Sequence, residues 1–306
     1  MTERRFGVST HLFHDERLTR EHLVHIAAHG FELVELFATR SHFDYTDEQS
    51  VDQLAEWLSD TRLELHSLHA PICESIKHGQ WFHPFSNATT AEDRRQVAVK
   101  ETAAAVAVAA KLPFRYLVLH VGTPDKYSVP GDNNPEAARR SIEDVYAAAT
   151  EHGVRVALEV MPNRLSSASA LVTLLEDQLE GVNAGICLDY GHAHMMGDLG
   201  EAIETLSGHL WTTHVHDNRG TRDDHLVPYS GSINWDAAIM ETQKIGYEDV
   251  LMFEVASDGD PVDVLQRTAR ARERNDIADV RHPGRVDDRA LETEAEAGVW
   301  HRAVAS

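Results

Sequence analysis

Six short apolar runs end in residues able to bind a metal ion or move a proton. They are Leu63–Ala70, Tyr116–Gly122, Arg155–Val160, Ala184–Asp189, Thr212–Asp217 and Val250–Val255. Near their C-terminal ends stand, in order, His69, His120, Glu159, Asp189, the pair His214 and His216, and Glu254. Charged side chains are seldom buried in apolar strands unless paired or bound to a cation. Several carboxylates aimed into one pocket would repel one another, and a divalent cation removes that repulsion. Two or three carboxylates with one imidazole form a mixed oxygen and nitrogen donor set that suits Mn, Mg, Co or Zn. His214 and His216 are two residues apart and so share one face of a strand.

The elements that position these residues follow from the apolar pattern. Phe6–Phe13 and Leu33–Ala38 add two further strand candidates, which makes eight. Helical patterns lie between them at Leu18–His29, with Thr19 as N-cap, and at Thr46–Thr61, Ala91–Lys111, Pro135–His152, Ser166–Asp177, Leu199–Leu206, Trp235–Ile245 and Pro261–Arg274. Pro135 near a helix start and Gly153 just past its end are the expected punctuation. Eight strands, each followed by a helix and with no strand-strand hairpin, predict an α/β fold, a closed (β/α)8 TIM barrel. An open doubly wound sheet fits less well, because no GxGxxG turn follows the first strand. At a barrel's C-terminal face, strand ends share one pocket, so the six ligand-bearing ends are expected to converge. Residues 1–274 read as the catalytic barrel. Residues 275–306 are charged and weakly apolar, and read as a helical or partly disordered C-terminal extension, with Trp300 as a candidate anchor on the barrel or on a second subunit.

Bulk properties narrow the partners. The 306 residues suit one barrel of about 250 residues with additions. The net charge of −22 opposes binding to a nucleic acid, which calls for a basic footprint. A small phosphorylated substrate remains open, since a local Arg and a metal outweigh a distant field. No run of about 18 apolar residues predicts a membrane span, and the N-terminus shows no secretory pattern. Cys73 and Cys187 are the only cysteines and form no CxxC motif, so a cytoplasmic setting is the expectation.

The blocks LEVMPN, CLDYGHAH, THVHDNRG, DDHL, SGSINW and LMFEV resemble those of the xylose isomerase-like TIM barrels, over about Phe6 to Arg274. That superfamily includes sugar-phosphate isomerases and epimerases, ketose 3-epimerases, inosose-converting enzymes and apurinic endonucleases. The resemblance implies Glu159, Asp189, a histidine of the seventh strand and Glu254 as metal ligands, with Glu159 and Glu254 also as the acid/base pair. Relatives often place the histidine ligand three residues before an acidic group. Asp217 therefore favours His214, and His216 is the alternative. The endonuclease pattern implies extra ligands at His69, His120, His192, Asp223 and His225, which leaves one metal or several open.

The reaction implied is proton transfer on a ketose, keto-inositol or sugar phosphate, through an enediolate stabilised by the metal. Dehydration or lysis of a keto sugar, and phosphoester hydrolysis at three zinc ions, are the alternatives. A non-catalytic sugar-binding subunit is a further alternative, disfavoured by retention of all four core ligands. Around the mouth, Arg219 and Arg164 are candidates for a small anion. Glu35 is placed to orient a substrate hydroxyl or a neighbouring histidine, and His11 to face the pocket. Trp81 and Phe82, in the loop after the third strand, are candidates to cover a sugar. His194 reads as packed or exposed. A homo-oligomer is compatible with the tail.

Overall fold

The computed structural model describes residues 4–277 apart from positions 79 and 258. Of the expected extension 275–306, positions 275–277 continue the last helix, and the rest, Trp300 included, lies outside the described residues. The strands are β1 (Phe6–Ser9), β2 (Leu33–Phe37), β3 (Glu64–His69), β4 (Cys73–Lys77), β5 (Gln80–Pro84), β6 (Tyr116–His120), β7 (Arg155–Glu159), β8 (Gly185–Asp189), β9 (Leu210–Val215) and β10 (Leu251–Phe253). The helices are α1 (Arg20–Ala28), α2 (Glu48–Thr61), α3 (Glu92–Val106), α4 (Pro135–Glu151), α5 (Ala168–Thr173), α6 (Tyr190–Met196), α7 (Leu199–Thr205), α8 (Trp235–Lys244) and α9 (Pro261–Ile277). Eight strands close a parallel barrel in the order β1-β10-β9-β8-β7-β6-β3-β2. Every barrel pairing is parallel, as the alternation of strand and helix predicts.

Alternation along each strand divides the side chains into two sets. Val156, Leu158, Ile186, Leu188, Leu251 and Phe253 point outward into the main apolar core under the helices. The inward sets stack in layers. On β6, β7 and β8 they read Tyr116–Val118–His120, Arg155–Ala157–Glu159 and Gly185–Cys187–Asp189 from the N-terminal to the C-terminal end. Val118, Ala157 and Cys187 form a small buried layer of their own in the middle. Polar chemistry is thereby pushed to the two ends of the barrel.

Helix ends follow ordinary capping. Asn134 accepts from Ala137 N at the start of α4, and Asp47 accepts from Gln49 N and Ser50 N at α2. Gly153, with φ 70°, ends α4.

Three local features depart from expectation. The first strand stops at Ser9, whose hydroxyl accepts from His11 N and starts a 3-10 turn over Thr10–Phe13. A hairpin exists: β4 and β5 pair antiparallel, Cys73 with Pro84 and Ile76 with Trp81. Trp81 and Phe82 therefore lie on a strand and not in an irregular loop. The sequence CESIKHGQWFHP lacks the β-branched density that marks a strand, so its pattern was too weak to reveal the pairing. Finally, Asp189 caps a helix, α6, that has too little apolar periodicity to be expected. Its carboxylate accepts from His192 N at 2.7 Å.

Candidate metal centre

Barrel register brings the strand ends together. Glu159 pairs with His120 across β6 and β7, and Asp189 with His214 across β8 and β9. Glu254 follows β10 directly, its N–H donating to Val215 O. One donor atom from each of Glu159, Asp189, His214 and Glu254 lies within 4.8 Å of all the others. His214 Nδ1 is 3.4 Å from Glu159 Oε1, 3.4 Å from Glu254 Oε2 and 3.9 Å from Asp189 Oδ2.

His214 is the strand-nine imidazole within the carboxylate set. His216 sits one step toward the mouth, its Nε2 3.0 Å from Asp189. Glu35 does not line the mouth cavity. It lies behind His214, with Nε2 of that ring at 3.1 Å, and accepts from Ser67 Oγ at 2.8 Å. An Nε2–H held by Glu35 leaves the Nδ1 lone pair aimed at three carboxylates. That arrangement is unfavourable unless a proton or a cation stands between them.

A second group surrounds the first. His69 Nε2 and His120 Nε2 lie 3.2 and 3.0 Å from Glu159 Oε2. His192, His216, Asp223 and His225 form a further set with donor atoms within 4.8 Å of one another. Backbone carbonyls fix several rings. His69 Nδ1 donates to Ala70 O, His225 Nδ1 to Glu254 O and His192 Nδ1 to Val160 O. Their Nε2 atoms are thereby turned inward, the tautomer that ligates metals. His225 takes φ 46°, a left-handed conformation rare for a residue with a side chain. Its carbonyl, accepting from Ala256 N, helps hold it there.

Electrostatics of the side chains alone point the same way. Glu35, Glu159, Asp189 and Glu254 are at most 3% exposed. At separations below 5 Å each pair of ionised carboxylates repels by roughly 3–4 kcal/mol at an effective dielectric constant near 20. Burial and then the Glu159 charge raise the Glu254 pKa against the pull of neighbouring histidines. Glu159 goes the other way: burial opposes its ionisation, but His120 and His214 outweigh burial and hold the carboxyl well below its ordinary range. Burial disfavours the His214 imidazolium, yet Cys187, Glu254, Glu35 and Glu159 drive its pKa well up.

The donor set fits a divalent cation. His216 Nδ1 is buried without a hydrogen-bond partner, and Glu159 Oε2, Glu35 Oε1 and Asp223 Oδ1 meet imidazole nitrogens at 3.0–3.2 Å without hydrogen-bond alignment, where buried polar atoms are ordinarily paired. His214 Nδ1 lies 3.4, 3.4 and 3.9 Å from the three inner carboxylates, close to the spacing of donor atoms about 2.1 Å from one shared ion, roughly 3.0 Å in an octahedron and 3.4 Å in a tetrahedron.

Above the centre lies a cavity of about 200 Å³. Glu159 and Glu254 line it, whereas Asp189 and His214 do not reach it. His11 and His14 border it on one side. Opposite them, Trp81 stacks on Tyr127 at 4.4 Å. Phe82 is turned away and exposed. Arg219 is exposed, near Ser230 O, and Arg164 donates to Asn133 O. Neither lines the mouth cavity, where Lys126 is the cation present. Loop geometry, which strand patterns do not encode, thus keeps both arginines away from the cavity that Glu159 and Glu254 line. His194 is partly buried and bonds Ser232 Oγ. A larger cavity of about 290 Å³ beside α5 carries no converging acids.

Sequence reasoning passed over Asp217 as a structural hub. Its buried carboxylate accepts from Asn218 N, Gly231 N, Ile233 N and Trp235 Nε1. It thereby ties down both ends of the loop carrying Asp223 and His225. The signal was the strand-end acid itself.

Comparison with known proteins agrees with this architecture. The chain is 27% identical to a protein of Methanocaldococcus jannaschii over 82% of its own length and 83% of the relative's. It is 21% identical to the inosose isomerase of Bacillus velezensis, over 74% of this chain and 79% of that one. Among solved structures, a D-tagatose 3-epimerase-like protein superposes with a TM-score of 0.72 at 23% identity, covering 96% of this chain and 99% of the other. The IolI protein with a bound zinc atom gives 0.68 at 19% identity, over 89% and 97%. The family model described as the xylose isomerase-like TIM barrel matches residues 23–275, and the chain belongs to that family.

Proposed function

We propose that this protein is a divalent-metal-dependent epimerase or isomerase of a keto sugar or keto-inositol. One observation carries the reading: of the four residues in the inner donor set, the two that face the cavity are both glutamates. Names among the relatives, an inosose isomerase and a D-tagatose 3-epimerase-like protein, support the substrate class, and the zinc atom of IolI supports a metal.

Glu159, Asp189, His214 and Glu254 would hold a Mn, Co, Zn or Mg ion. When bound, such an ion supplies Lewis-acid stabilisation for negative charge developing on the substrate's vicinal oxygens. The remaining work belongs to side chains. One cavity-facing glutamate removes the proton alpha to the carbonyl. For epimerisation the other glutamate, itself protonated, delivers its own proton to the opposite face; for isomerisation the first gives its proton to the neighbouring carbon while the hydroxyl proton passes to the carbonyl oxygen. Their positions on β7 and after β10, three strands apart around the barrel, suit approach from two sides. His69 and His120 fix the orientation of the Glu159 carboxylate, and Trp81, Tyr127 and Phe37 exclude water above it.

Solvent deuterium wash-in over a panel of ketoses and inososes tests this reading. Exchange at a carbon alpha to the carbonyl, lost in both Glu159→Gln and Glu254→Gln, is expected. Full exchange in both variants, or none with any metal-loaded sample and substrate, overturns it. Loss of a β-substituent instead would indicate the lyase alternative.

The outer set of His192, His216, Asp223 and His225, with its unpartnered His216 Nδ1, favours a second reading: several metals and phosphoester hydrolysis. Three zinc ions per chain with phosphodiesterase activity would support it over the first.

A further inference from the structure

The opposite, N-terminal end of the barrel holds a separate cavity of about 290 Å³. Its wall comes from the lowest inward layer and the turns beside it. Trp211 lies flat against Gly185, where any Cβ would overlap the indole. The guanidinium of Arg155 covers the same ring, 3.7 Å from its centroid, and lies 5.5 Å from the Tyr116 ring. Arg115, on the strand-end neighbour, also stands over Tyr116, at 4.9 Å.

Two guanidinium groups, of Arg115 and Arg155, and two carboxylates, of Glu248 and Asp249, line the cavity, but they are not evenly paired. Asp249 pairs with Arg115 at 2.7 Å and caps Val250 N, so its carboxylate is engaged. Among the described residues no carboxylate forms an ion pair with Arg155, which is half-buried. Glu248 stands at the exposed rim. The chain has 50 acidic residues against 28 Lys and Arg, so a half-buried guanidinium left without one is conspicuous. Stacking occupies the faces of a guanidinium and leaves its in-plane N–H fork free, the geometry that pairs with carboxylate or phosphate oxygens. Gly208 and Gly246 border the cavity with open space above them.

We propose that this basal cavity is an accessory binding site for a small oxyanion, a carboxylate or a phosphate monoester, held by the fork of Arg155 over Trp211. The site lies at the far end of the barrel from the acid/base glutamates and does not depend on the reaction assigned to them.

Tryptophan fluorescence of the full-length protein, titrated with inorganic phosphate, glucose 6-phosphate and malate, tests the proposal and separates the two oxyanion sources. A saturable response is expected, kept in Trp81→Phe and lost in Trp211→Phe. By calorimetry, Arg155→Gln should bind roughly tenfold or more weakly, the loss of a charge-assisted pair. Arg155→Lys, which keeps the charge but not the fork, should fall between and guards against a folding defect in the Gln variant. Absence of saturable binding for all three probes overturns the proposal, as does unchanged affinity in both Arg155 variants. A response abolished by Trp81→Phe would place the anion at the mouth and also overturn it.

Discussion

Glu35 offers a sharp test of how the centre is tuned. It does not line the mouth cavity, yet both carboxylate oxygens lie 3.1 Å from His214 Nε2, and Ser67 holds it from behind. Glu35→Gln keeps the shape and one acceptor while removing the charge. A hydrogen bond to a charged group contributes about 1.5–3 kcal/mol and a neutral one about 0.5–1.5 kcal/mol. The difference of about 1–1.5 kcal/mol, expressed through the basicity of His214, sets a loss of roughly tenfold in metal affinity. Partners behind metal-ligating histidines typically cost tenfold to a hundredfold. The metal-free protein loses only the support Glu35 gives the His214 imidazolium. Its melting temperature should fall by less than that of the loaded form. Competition titration with a chromophoric chelator gives the affinity, and calorimetry of the apo and loaded forms gives the stability. An affinity within twofold of the wild type would refute the reasoning. So would an apo form destabilised as much as the metal-loaded one.

Other outcomes follow from single contacts. Asp217→Asn replaces an acceptor for four N–H donors with a group that itself donates, and should cost roughly 3–5 kcal/mol by urea unfolding; a loss under 1 kcal/mol would deny it the hub role. Gly191→Ala puts a methyl group into the His216 ring, so it should weaken binding of any second metal more than the first, read by stepwise metal titration. His42 is buried and its pKa is lowered to about 4, by burial first, against the hydrogen bond its Nδ1 makes to Glu16 O. Neutral in the fold and protonated when unfolded below about pH 6.5, it should remove up to ~3 kcal/mol of stability as pH falls from about 6.5 to about 4. That slope should shrink in His42→Gln, and an unchanged slope would contradict the assignment.

The barrel was legible because its strands are apolar on the outward side and end in chemistry. Strand-end position alone picked out His69, His120, Glu159, Asp189, the pair His214 and His216, and Glu254; the family resemblance singled out the inner four, and the parallel register brings them together. What escaped lies where the pattern carries no period. The β4–β5 hairpin is polar and short. Helix α6 depends on the cap supplied by Asp189 more than on its own apolar face. Arg219 and Arg164 follow strands in sequence, yet their loops turn them away from the mouth. Glu35 could be read as facing a substrate or a histidine, and only the pairing of β2 with β3, which sets Glu35 beside Ser67, decides for the histidine.

The central claim is that the inner four residues hold a divalent ion. Its most direct measurement is metal content by plasma mass spectrometry of protein purified without added metal, beside Asp189→Asn prepared identically. Asp189 lies outside the cavity, so its loss reports on ligation and not on substrate contact. At least one Mn, Co, Zn or Mg per chain in the wild type, and a large loss in the variant, is the expected result. Wild-type protein that carries no metal and gains no thermal stability from any of these ions would contradict the account.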